Sequence, residues 1–89
     1  MDNYIIVNMN MFALKSPVFI TDSTGVTEVV GAYTLTELPK VIVELAHDKN
    51  IFKVKLNAGA NKFAQLVEYE IGSIENTKYS ERKIEIEVI

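Results

Sequence analysis

Three residues between a strand-like run and a helix-like run are the first that could do chemistry. In "VKLNAGANKF", residues 54–63, an alternating apolar pattern stops at Leu56, and Asn57, Gly59 and Asn61 lead into what reads as a first helical turn. Backbone N–H groups at a helix start can hold an anion, so Asn57, Gly59 and Asn61 are the candidate ligand-binding set. The loop lacks the Gly-Lys-Ser/Thr ending of a phosphate loop. The same residues also have a plainer use: Asn57 or Asn61 caps the helix, and Gly59 permits the turn. Two carboxylates, Glu37 and Asp22, could join this loop in a metal-dependent site. Glu37 stands three residues after Thr34, the spacing of a capping box. Asp22 opens "DSTG", a turn sequence in which Asp and Ser bond nearby backbone.

Other chemistries have less to work with. The single histidine, His47, falls near a helix end, where it is expected to meet the helix dipole or solvent. With no second histidine and no cysteine, a zinc cluster, a disulfide framework and a thiol nucleophile are excluded. No cofactor motif is present, and none is expected. The net charge of −3 disfavours sequence-independent nucleic-acid binding, which needs a basic surface. Phe63, Tyr69 and Tyr79 do not interleave with basic residues as a stacking platform would. Residues 4–14 are apolar-rich, but the run is short, follows Asp2 and has no basic leader. The expectation is therefore a cytoplasmic chain with neither signal peptide nor membrane span. The Ile, Lys, Asn and Glu usage is that of an AT-rich genome, such as a low-GC bacterium or its phage.

The elements that must position these residues follow from the periodicity. The 89 residues make one domain, 1–89, and 48% of them are apolar. "YIIVNM" (4–9) is a near-continuous apolar run, which predicts a strand covered on both faces. A second strand lies within 12–22, with Pro17 at its start or at a bulge. "VTEVVGAY" (26–33) returns as a third, antiparallel to it across the DSTG turn. The period then changes. Thr34 and Glu37 open a helix with Pro39 in its first turn and a stripe of Leu38, Val41, Ile42, Leu45 and Ala46. A fourth strand runs 51–57. A second helix spans 61 to about 76, with Phe63, Leu66, Val67, Ile71 and Ile74 as its buried stripe. Gly72 inside that helix allows close packing or marks a bend. A fifth strand covers 83–89.

On the fourth strand Lys53 and Lys55 share one face, and on the fifth Glu85 and Glu87 do the same. If the two strands are neighbours, two lysines oppose two glutamates on a wet face. Helices then cover only the other face there, and the domain is largely two-layered. The order is β-β-β-α-β-α-β in a mixed five-stranded sheet, because crossovers make the later strands parallel.

Three consecutive antiparallel strands followed by alternating helix and strand resemble the ribonuclease H-like fold over nearly the whole chain. The resemblance implies acids in the first strand, in a Glu-Leu pair of the first helix, and at the end of the fourth strand, holding two magnesium ions. In this chain the first position falls on Asn8 or Asn10, the second on Glu37–Leu38, and the third on Asn57. Two of the three are amides, which lack the charge that a hard cation favours. The resemblance thus implies the scaffold without its catalysis.

The expected function is a non-enzymatic protein-interaction domain, a phage or bacterial accessory protein that binds a protein partner or forms a homodimer. The third strand, around Thr27, is the expected interface. It is the outer strand in the resembled order, and only Glu28 protects it as an edge. The alternative is a small-ligand binder or metal-dependent enzyme using the Asn57–Asn61 loop with Glu37 or Asp22.

Overall fold

The computed structural model describes residues 3–9, 14–59, 62–79 and 81–89. Five strands and two helices follow one another as β1 (Tyr4–Asn8), β2 (Ser16–Thr21), β3 (Thr27–Tyr33), α1 (Leu38–Lys49), β4 (Lys53–Asn57), α2 (Phe63–Lys78) and β5 (Glu85–Val88). They form one mixed α/β sheet in the order β3-β2-β1-β4-β5. β2 pairs antiparallel with both β1 and β3, whereas β4 pairs parallel with β1 and β5.

Both crossovers, β3 to β4 through α1 and β4 to β5 through α2, step the same way along the sheet. With the hand that strand twist imposes, they lay both helices on one face. α1 and α2 pack against each other there. The Cα atoms span 34 × 33 × 20 Å, and the short axis holds one sheet and one helix layer of about 10 Å each. This corrects the expectation that the first strand is covered on both faces. Ile5 and Val7 are fully buried under the helices, while Tyr4, Ile6 and Asn8 on the other face are half-buried.

The β2–β3 turn is built as its sequence implies. Asp22 Oδ1 accepts from the N–H groups of Thr24 (2.9 Å) and Val26 (3.0 Å) and from the Thr24 hydroxyl (2.6 Å). Gly25 takes φ +89°, a conformation a Cβ would oppose. The pairing slips between Val18 and Phe19, leaving Val30 as the extra residue of a bulge. The irregularity follows Pro17, which sits one residue into β2.

The start of α1 is a capping box. The Glu37 carboxylate accepts from the Thr34 N–H and hydroxyl, both at 2.9 Å, and the Glu37 N–H donates to Thr34 Oγ1 at 3.3 Å. The regular helix begins one residue later, with Pro39 in its first turn. Its buried positions are Leu38, Pro39, Ile42, Val43 and Ala46, with Leu45 partly buried against them. Val43 was absent from the expected stripe. The helix ends on Asn50 in the left-handed region at φ 56°.

α2 departs further from expectation. Its buried residues are Ala64, Val67, Ile71 and Glu75. Phe63 and Leu66, expected inside, are 43% and 46% exposed. The helix is rotated so that positions 64, 67, 71 and 75, spaced by three and four, face the sheet. A Cβ on Gly72 would meet nothing within 4 Å, so close packing does not explain this glycine.

Candidate functional site

The loop after β4 is a corner tied to the end of the sheet. Ala58 and Gly59 donate their N–H groups to the Ile89 carbonyl oxygen at 3.1 and 3.0 Å, and the Ile89 N–H donates to Leu56 O at 2.9 Å. The Ala58 and Gly59 N–H groups are therefore engaged within the chain rather than turned to an anion. Gly59 has φ +58°, the positive value the turn requires. Asn61 and Asn10 lie outside the described residues.

Asn8 and Asn57 do come together. They are register partners at the C-terminal ends of β1 and β4, and the Asn57 side-chain amide donates to Asn8 Oδ1 at 3.1 Å. Two neutral amides satisfy each other where two carboxylates would repel. Glu37 spends its hydrogen bonds on Thr34, whose backbone N–H and hydroxyl hold its carboxyl below the usual range. Asp22 is likewise held low, first by the Thr24 hydroxyl and also by the turn's N–H groups. Each carboxylate thus serves the local turn that its spacing suggested.

His47 lies in the last turn of α1, the helix end its place in the sequence implies, but not in solvent. Its side chain is 17% exposed and lies in an aromatic cluster. The ring stacks on Tyr79 (centroids 3.7 Å apart, planes 12° apart) and meets Phe52 edge-on at 5.0 Å. The Arg82 guanidinium lies over the Phe52 ring, 3.9 Å from its centroid. Glu75, 2% exposed, faces the same place. Its Oε2 accepts the Ile84 N–H at 2.9 Å and stands 3.8 Å from His47 Nε2, which has no hydrogen-bond partner among the described residues. Sequence reading missed Glu75, although the signal was present: it follows Val67 and Ile71 at four-residue steps. An acid on an apolar stripe is an acid carried into the core.

The third region is the sheet face that the helices leave open. Lys53 pairs with Glu85 and Lys55 with Glu87, the register that the alternation implied. Lys55 Nζ also lies 4.2 Å from the centre of the Tyr4 ring. On the other half of this face the charges stop. Ile6 pairs with Phe19, and Phe19 with Val29, giving an apolar row that runs out to β3. Val29 at its end is 66% exposed, and Val26 beside the strand is 63% exposed. β3 is an outer strand, and among the described residues nothing pairs with its free side.

Among the described residues no group of three His, Cys, Asp or Glu is placed to hold a metal ion, and no helix is long and apolar enough to cross a membrane. No family model matches the chain, and the comparisons with curated proteins and with solved structures found no match either.

Proposed function

We propose that this chain is a non-enzymatic protein-interaction domain on a ribonuclease H-like scaffold, and that β3 is its contact element. The strand order supports the scaffold: three antiparallel strands at one side and two parallel crossovers at the other. The exposed end of the apolar row, Val29 on an outer strand with no further pairing among the described residues, carries the functional reading. An edge strand offers a line of backbone donors and acceptors, and native proteins blunt such edges unless they are used. Here the protection amounts to one bulge and Glu28. The Asn8–Asn57 amide pair supports the non-enzymatic half of the reading, because the resemblance puts acids at those positions.

The contact is made with a partner protein or with a second copy. Light scattering at micromolar concentration, on the wild type and a Val29→Lys variant, separates the two. A dimer lost in the variant assigns the edge to a second copy. A monomer in both removes self-association and leaves the foreign-partner reading. A magnesium-dependent rise in melting temperature, abolished by Glu37→Gln, would instead overturn the proposal in favour of a metal-dependent enzyme.

A further inference from the structure

We propose that the β3 edge takes an extended segment of a partner protein whose side chains alternate between apolar and basic, adding to the sheet as a sixth strand. This rests on the interaction reading above and names the chemistry of the partner. A groove of about 640 Å³ runs between β3 and α1. Val30 and Tyr33 from β3 and Val41 and Leu45 from α1 form its apolar lining. Its inner end reaches the His47–Tyr79 stack. The bulge matters here, because it puts Val30 on the helix side of the strand, packed against the core. Gly31 matters too: a Cβ there would stand 2.8 Å from Tyr33 Oη, so the glycine lets the Tyr33 side chain lie back across the strand.

An added strand presents alternate side chains to opposite faces of the sheet. The basic set would enter this groove, its aliphatic stems along the apolar lining and its charges at the rim, and the apolar set would lie beside the row ending at Val29. The rim decides the charge. Glu44 and Asp48 stand four residues apart on α1 at the groove, both exposed. Glu28 on β3 is the register partner of Ile20, which packs against the core, so it shares the helix side. Three carboxylates from two elements therefore border the path of the incoming strand, and β3 itself carries neither Lys nor Arg. A second copy would bring another acidic edge with neither Lys nor Arg on its own β3, whereas lysines or arginines in a partner segment would complement the rim.

The test uses a short fluorescent peptide of alternating valine and lysine, with a valine–glutamate peptide as control. The valine–lysine peptide should bind and the control should not. Glu44→Lys combined with Asp48→Lys, both on the exposed side of α1, should weaken binding about tenfold. The melting temperature of that variant confirms that it is folded. Amide exchange should slow along Thr27–Tyr33 when the peptide is present. Equal binding of both peptides, or binding without protection of β3, overturns the proposal. If the valine–lysine peptide does not bind but the protein dimerises in a Val29-dependent way, this inference fails and the interaction reading stands. Absence of both, with a magnesium-dependent melting shift, removes the two together.

Discussion

The Glu75 carboxylate accepts the Ile84 N–H at 2.9 Å, joining the last turn of α2 to the segment that enters β5. Both residues are buried, at 2% and 8% exposure, so this donor has no water to turn to. Glu75→Ala should destabilise the fold by about 1–3 kcal/mol, the cost of an orphaned buried donor. Glu75→Gln keeps an oxygen that can accept and should cost less. Urea melts of the two variants check this. An equal loss in both would mean that the charge facing His47, rather than the acceptor, is what the core requires.

The two helices should respond differently at their expected stripe centres. Ile42 is fully buried, and Ile42→Ala should cost about 2–5 kcal/mol. Ile71 in α2 is buried to the same degree and belongs in the same range. Leu66 is 46% exposed, and Leu66→Ala should cost under about 1 kcal/mol. Denaturant midpoints for the three variants, with an unchanged slope, test the rotation of α2 directly.

Gly72→Ala should stabilise the protein by roughly 0.5–1 kcal/mol. The new methyl group meets open space, and alanine loses less backbone entropy in a helix than glycine. A lower melting temperature in this variant would show that the glycine is required for a bend.

Acid should weaken the fold through Asp22 and Glu37. Their folded pKa values are lowered, by the Thr24 hydroxyl first for Asp22 and the Thr34 N–H first for Glu37. A depressed carboxyl contributes its full stabilisation above the unfolded value, about 4, and loses it as the pH falls through the folded one. Melting temperatures between about pH 6 and pH 2 should therefore fall less steeply in Asp22→Asn than in the wild type. Identical acid limbs would show that the turn's hydrogen bonds do not depend on the charge.

The Asn8–Asn57 pair predicts its own conversion. Asn8→Asp with Asn57→Asp would place two carboxylates on adjacent strands, where the amides now meet at 3.1 Å. Without metal the double variant should melt below the wild type, since like charges so close repel. Magnesium should restore part of the loss in the variant and leave the wild type unmoved. A wild-type shift of the same size would mean that the amides already serve a cation.

Periodicity and turn chemistry were enough to place the elements of this chain. The DSTG turn, the Thr34–Glu37 box and the two alternating strands at 53–57 and 85–88 are local patterns, and the backbone follows them. Matching lysines and glutamates even implied the β4–β5 register, because strand side chains repeat every two residues. The tertiary structure alone decided which way α2 turns. A helical stripe about one hundred degrees wide admits Phe63 and Leu66 or Ala64 and Glu75, and only packing on the sheet selects between them. It also decided that the Ala58 and Gly59 N–H groups belong to Ile89, and that His47 of α1 meets Glu75 of α2 and Tyr79 just beyond it. Such contacts depend on the path of the whole chain, which no local pattern encodes.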